Sequence, residues 1–547
     1  MKAQASLLCL AIASALAVSS APADAAVLQK SAVIARANAL VGGNATLARR
    51  AAADAFVARD VIVDADGTEH VRFDRTFNGL PVIGGDMVVH SRNGKLAGIS
   101  QNLASAARPA SLAGRISRDQ AIVEAGAQFG SRFVGAPNAR TVVYALGASP
   151  VLAHEVVFNG IKADQTPTEM HYIVDASTGR VLNKWDTVQT AKPGPGTGGT
   201  CSGATAAVGT GKSLTVGNVV VNTTKCGTTY QMVDMTRGGG ATHNMAMKTT
   251  GMGSVFTSST NIWGNNLLSD SQTVAADAHY GVATTWDYFK TVHNRSGIAN
   301  DGQGAVSRVH YGRNYQNAFW SDSCFCMTFG DGDNGATILP LVAIDVAGHE
   351  MSHGVTSRSA NLIYSGESGG LNEATSDIFG TMVEYYANNA NDPADYVIGE
   401  ELFPNNANMS NAIRWMFKPS LDGASKDCYY SGMGSIDVHY SSGPANRFFY
   451  LLAEGAVVPA GFGAGSWANL TPASLVCNGN TSLAGIGRDA AGKIWYRALT
   501  VYMNSSTNYA GARTATLQAA TDLYGAGSTQ YNAVNAAWAA VNVAAAI

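Results

Sequence analysis

"AGHEMSHGV", residues Ala347–Val355, sets two histidines four apart with a glutamate directly after the first. In a helix, positions i and i+4 share a face, so both imidazoles point the same way and Glu350 is turned aside by one residue. The arrangement H-E-x-x-H offers two zinc ligands and a neighbouring general base. A chain with 11 His among 547 residues places two of them on this single turn. Helical spacing runs through "ATILPLVAIDVAGHEMSHGVTS" (Ala336–Ser357) and onward, which predicts that the second half of the chain is mainly helical.

A catalytic zinc takes three protein ligands and keeps a fourth position open for water. His349 and His353 supply two. "SGGLNEATSDIFGTMVEYY", Ser368–Tyr386, has helical periodicity and brings Glu373 as the third ligand. Asp377 lies one turn later on the same face, where it can accept a hydrogen bond from the outer nitrogen of a ligating histidine. On its own, a Glu373/Asp377 pair also reads as a solvated helix face. The metzincin pattern is excluded, because it needs Gly and His where this chain has Thr356 and Ser359.

Length alone indicates ~3–4 domains. Charged residues are 14% of the chain, against roughly 25% in ordinary domains. The net charge of −3 gives no basic footprint for nucleic acid, and no polybasic stretch is present to hold an anionic membrane. The N-terminus has the parts of a secretory signal: Lys2, an apolar run from Leu7 to Val18, and small residues at Ala23-Asp24-Ala25, which places cleavage after Ala25. No later segment reads as a membrane span, and "AAWAAVNVAAAI" at the end reads as a last packed helix. The expected location is extracellular.

Export gives the cysteines their meaning. Cys9 leaves with the signal, and Cys201, Cys226, Cys324, Cys326, Cys428 and Cys477 remain. In an oxidising compartment six thiols read as three disulfides. Proximity in sequence favours Cys201–Cys226, Cys324–Cys326 and Cys428–Cys477 among several connectivities. No C-x-x-C occurs, which argues against a thiolate zinc site.

Residues 26–190 and 191–547 differ in character. The first part carries alternating strand patterns, with Asn93-Gly94 as a hairpin turn and Ser177-Thr178-Gly179 as another. "TAKPGPGTGGT", Thr190–Thr200, is a Pro/Gly linker of the kind proteases nick. Beyond it, "GTGKSLTVGNVVVNTT" and "TTYQMVDMTRGGGATHNM" are strand-like, and helical spacing begins at "ADAHYGVATTWDYFKTVHN". No internal repeat is visible.

Four ordered motifs, "YQNAFW" (Tyr315–Trp320), "DVAGHEMSHGVT" (Asp345–Thr356), "GLNEATSDIFG" (Gly370–Gly380) and "IDVHYSSG" (Ile436–Gly443), resemble the thermolysin-like secreted metallopeptidases, most of all their elastase-type pseudolysin and vibriolysin branch. The segments Phe73–His90 and His171–Asp186 resemble that family's propeptide modules, a thermolysin-type module followed by a PepSY-like one. The resemblance implies an α+β protein: a signal (1–25), an α+β prodomain (26–190), a β-rich catalytic lobe (191–345) and a helical catalytic lobe (346–547), with the cleft between the lobes.

The resemblance also implies roles. One zinc is held by His349, His353 and Glu373, with Glu350 as general base. Tyr364 and His439 are the oxyanion donors, and Asp437 orients His439. Asn317 and Ala318 form the edge that binds extended peptide, and Arg414 grips the carbonyl after the cleaved bond. Leu341, Val346 and Ile413 line an apolar pocket, which implies cleavage before bulky hydrophobic residues. Asp345, Glu384, Asp395 and Glu400 match calcium ligands. Val397 stands where double-calcium members have a carboxylate, and three extra residues lie between Glu384 and Asp395, so one structural calcium is expected, with the Val397 carbonyl as a further ligand. The partners implied are protein and peptide substrates and the chain's own propeptide, acting as folding aid and intramolecular inhibitor until cut near residues 190–191. The mature enzyme is expected to be a monomer. A non-catalytic zinc scaffold would leave catalytic positions unfilled, and an aminopeptidase would need an acidic anchor for a free amine; neither feature is found.

Overall fold

The computed structural model describes residues 23–188 and 201–544. The expected signal up to residue 22 and the linker with its expected cleavage point lie outside the described residues, although the first helix, Ala23–Gly43, begins just before the expected cleavage after Ala25.

Strands of the N-terminal portion join into one sheet of ten among the described residues. Asn93 (φ 51°) and Gly94 (φ 72°) form the expected hairpin turn, because two consecutive left-handed residues match the twist of the flanking strands. The strand Leu80–Ile83 leaves the first module and pairs in parallel with Asn138–Tyr144 of the second, which welds the two together. A buried Arg72 fastens the first module to the C-terminal helices by donating to the carbonyls of Thr500 (3.1 Å) and Met503 (2.8 Å).

Beyond the linker lie a five-stranded and a six-stranded sheet, covered by the long helix Ser271–His293. Asp270 caps that helix by accepting from the Gln272 N–H, and Asn294 ends it in the left-handed conformation (φ 52°). The strand Ala318–Ser321 is the last of its sheet and pairs only with Cys326–Gly330, so its other edge faces the cleft. The remainder is helical, closing on a core in which Trp538 of the last helix, Thr529–Ala540, stacks on Phe448 at 3.8 Å. The fold is α+β, β-rich and then helical. The three disulfides are Cys201–Cys226, Cys324–Cys326 and Cys428–Cys477, as sequence proximity favoured.

One expectation needs correction. Helix does not run from Ala336: it begins at Ile344 and ends at Ser357. Pro340 has no N–H and restrains the residue before it, so the chain reaches the helix as a loop. The helix is a wall shared by two cores, with Val346, Ala347 and Met351 facing the sheets and Ile344 and Val355 facing the helical bundle.

Candidate active site

Two crossing helices build the site: the histidine helix, Ile344–Ser357, and a carboxylate helix, Gly366–Ala387. Glycine sets how closely they cross. A Cβ on Gly380 would stand 2.5 Å from the Asp345 carbonyl oxygen, and one on Gly348 would stand 3.0 Å from the Gly380 Cα. With both side chains absent, the faces bearing His349, His353 and Glu373 come together.

One ligand atom from each of these three residues lies within 4.8 Å of the others. The inner nitrogens of His349 and His353 are 3.0 Å apart, and Glu373 approaches them at 3.6 and 3.4 Å. Glu373 Oε2 is buried with no hydrogen-bond partner. Buried carboxylate oxygens are rarely left so. Two inward nitrogens and an orphan oxygen fit a cation, and the His2Glu set fits zinc.

Outer atoms hold the ligands in place. Asp377 meets His349 Nδ1 at 2.9 Å, as the sequence suggested, and also accepts from Arg414 Nε and from Asn446, both at 2.7 Å. Asn372, which the sequence reading missed although it adjoins Glu373, bonds His353 Nδ1 at 2.8 Å and donates to the Leu362 carbonyl. Burial draws the His353 imidazole down to about 4, so it is the neutral form a metal requires. Burial pushes Asp377 up, but Arg414 and His349 outweigh it and hold the carboxyl well below its usual range. Burial raises Glu350 to about 7 against the pull of His349. A carboxyl poised near neutral pH beside the ligands suits proton transfer.

Tyr364 donates its hydroxyl to Glu373 Oε1 and sits 3.3 Å from His439 Nε2. Asp437 Oδ1 accepts from the His439 ring nitrogen at 2.7 Å and from its backbone N–H at 2.9 Å, which fixes the ring with Nε2 toward Glu373. The Glu373 carboxylate is the main cause that raises the His439 imidazole.

These groups border a cleft of about 480 Å³, lined also by Asn317, Ala318, Leu341, Val346, Ile398, Ile413 and Arg414. Asn317 is exposed, and its Oδ1 accepts from the Ala318 N–H at 2.9 Å. The N-terminal portion forms part of the same wall through Lys162, Thr166, Asp186 and Val188.

A second cluster lies past the crossing point. Oxygens of Glu384, Asp392, Glu400 and Glu401 converge within 4.8 Å. Glu384 and Glu400 were expected there; Asp392 and Glu401 were not. Asp392 comes from the loop that follows the carboxylate helix, between Asn388 and Asp395. Asp345 stands at the margin, its two oxygens accepting from the N–H groups of Val346 (2.7 Å) and Gly399 (2.6 Å). Asp395 Oδ1 accepts from the Val397 N–H at 2.6 Å, and its Oδ2 is buried without a partner. Val397 is buried in the short strand Val397–Ile398.

A histidine–carboxylate centre at the foot of a cleft whose wall is a free strand edge belongs to the zinc peptidases, which hold their substrates as added strands. Comparison with known proteins narrows this: the chain belongs to the thermolysin metallopeptidase family. Residues 208–357 match that family's catalytic domain, residues 360–543 its alpha-helical domain, and residues 54–103 the fungalysin/thermolysin propeptide motif. Thermolysin of Alicyclobacillus acidocaldarius subsp. acidocaldarius is 37% identical over 480 residues, covering 84% of this chain and 81% of its own. The transglutaminase-activating metalloprotease of Streptomyces mobaraensis is 48% identical over 480 residues, which is 87% of this chain; the chain spans 59% of that relative's length. Among solved structures, the precursor of protealysin from Serratia proteamaculans aligns at 29% identity and TM-score 0.43, over 56% of this chain and 87% of that one. By its family, the protein is a zinc metalloendopeptidase made with a propeptide.

Proposed function

We propose that this protein is a secreted neutral endopeptidase that hydrolyses peptide bonds on the amino side of bulky hydrophobic residues, and that it removes its own propeptide. One observation carries the reading: His349, His353 and Glu373 converge on one point, with Glu350 beside them and a free strand edge alongside.

Zinc held by those three residues supplies a Lewis acid that polarises the scissile carbonyl and acidifies water. Glu350 takes the proton from the attacking water and passes it to the leaving amine. Tyr364 and His439 donate to the oxygen on which charge develops, and Asp437 keeps the His439 ring turned toward it; one such donor contributes about 2.7–4 kcal/mol to the barrier. Asn317 and Ala318 bind the peptide as an added strand. Arg414, anchored on Asp377, holds the carbonyl after the cleaved bond. Leu341, Val346, Ile398 and Ile413 form the apolar wall that receives the residue following that bond.

The acidic cluster holds one calcium. Support comes from its buried oxygens without partners, at Glu384, Asp392, Glu400 and Glu401, since oxygen-only sets suit this ion. Val397 adds its carbonyl. The division into signal (1–25), propeptide (26–190) and two catalytic lobes (191–345 and 346–547) is part of the same reading, as are a monomeric mature state and an extracellular location. The three disulfides support export, and among the described residues no helix is long and apolar enough to cross a membrane.

Cleavage mapping on blocked peptides, with and without 1,10-phenanthroline, tests the proposal. Cuts before Leu, Phe or Ile that vanish with the chelator are expected. Cuts that persist in chelator, or that require a free amino terminus, contradict it.

A further inference from the structure

The hairpin between strands Val151–Ile161 and Pro167–Asp175 turns through Lys162–Thr166 and touches the catalytic portion at its tip. Gln165 adopts φ +73°, a costly conformation for a residue with a side chain. Its amide pairs with the main chain of one residue in both directions: Nε2 donates to the Arg313 carbonyl at 2.8 Å, and Oε1 accepts from the Arg313 N–H at 3.0 Å. The Tyr311 hydroxyl shares its proton between the carbonyls of Gln165 and Thr249, each at 3.2 Å, and the hydroxyls of Thr166 and Tyr315 are 3.0 Å apart.

Contacts within the catalytic portion also hold the receiving loop. His310 (φ 58°), Gly312 (φ 65°) and Asn314 (φ 49°) are all left-handed, and His310 is tied to Asp331 at 2.9 Å. A Cβ at Gly312 would lie 3.0 Å from Gln165 Oε1, so a side chain there would press on the docked amide. It leads directly into Asn317 and the strand edge. Thr166 and Lys162 line the same cleft as His349 and Glu350.

A primary amide that gives one N–H and takes one from a single residue reproduces the pattern of a hydrogen-bonded pair between antiparallel strands. We propose that the Tyr311–Tyr315 loop is a peptide-docking site of the catalytic portion, with Arg313 main chain at its centre. Gln165 fills it in the proenzyme, and the main-chain N–H and C=O of one residue of extended substrate fill it after processing. This lengthens the binding edge beyond Asn317, and it rests on the peptidase reading above.

Two experiments test it. In the full chain, Gln165→Glu removes the amide donor and sets a carboxylate against the Arg313 carbonyl. The rate at which activity appears during self-processing should rise about tenfold. In the processed enzyme, Arg313→Pro removes the N–H. The ratio of kcat/KM for a blocked peptide of about eight residues to that for a blocked dipeptide should fall about fivefold. If thermal unfolding shows that Arg313→Pro is misfolded, Tyr311→Phe removes one hydroxyl instead, and the ratio should fall about twofold. An unchanged processing rate, or an unchanged ratio in a folded variant, overturns the proposal. A wild-type enzyme that cleaves neither peptide overturns the peptidase reading instead.

Discussion

The carboxylate helix contributes to two buried polar clusters, Glu373 to one and Glu384 to the other, and the clusters are built on opposite plans. Around His349, His353 and Glu373 nearly every polar atom has a partner. Histidine nitrogens meet Asp377 and Asn372, Arg414 balances Asp377, and Glu373 Oε2 is the ligand oxygen left without a partner. Around Glu384, Asp392, Glu400 and Glu401 only negative groups converge, and most of their inner oxygens lack partners. Burial, followed by neighbouring carboxylates such as Asp392, pushes Glu401 up to about 10. The first cluster is therefore shaped by the protein and awaits an ion for chemistry. The second gathers like charges that the protein itself does not offset, and on the proposed reading a calcium offsets them. Loss of metal from the first should cost activity; loss from the second should cost stability.

Glu350→Gln breaks only the chemistry. Glu350 borders the zinc ligands without joining them, so kcat should fall about 10²–10⁴-fold while both ions stay bound. A purified variant that still digests casein at the wild-type rate would contradict the role. EGTA, which favours calcium over zinc, acts on the other cluster. At calcium about 100-fold above its dissociation constant, binding contributes about 2.7 kcal/mol. Its removal should lower Tm of the processed enzyme by roughly 3–4 °C and expose the loop around Asp392 to proteolysis. An unchanged Tm would show that no calcium is held there.

The smallest expected effect concerns a third buried cluster, which brings its own cation. His171 lies between Glu155 (2.8 Å) and Glu169 (3.3 Å) and stacks on Trp185. Burial pulls its imidazole down, yet the two carboxylates outweigh burial and raise it to about 9. The folded form thus holds the proton more tightly than the unfolded chain. The stabilisation is fully present below pH ~6.5 and is lost as pH rises through about 9. Thermal unfolding of full-length Glu350→Gln protein between about pH 6 and 10 should show that decline, and His171→Gln should flatten it. An identical slope in the variant would remove His171 from the explanation.

Much of the site was legible in the sequence because it follows helical period. His349, His353, Glu373 and Asp377 lie on two regular helices; four-residue spacing puts each pair on one face, and the need of a zinc for a third ligand joins the two pairs. Asn93-Gly94 was legible because only a tight hairpin demands two left-handed residues in succession. What escaped was set by tertiary contact. Asn372 adjoins Glu373 and carries no charge to mark it. Asp392 and Glu401 arrive from loops with no periodicity, and Gln165 meets Arg313 across 148 residues of chain. The helix start was misplaced because the apolar run through Ile338 and Leu339 continues the pattern on both sides of Pro340.

The central claim is that one zinc is gripped by His349, His353 and Glu373. Its most direct test is the zinc content of the purified, folded protein beside that of His353→Ala, measured by mass spectrometry of the metal. About one zinc per chain in the wild type, and near none in a variant that keeps its disulfides and fold, is the expected result. A variant that retains its zinc, or a wild type that never binds it, would contradict the claim.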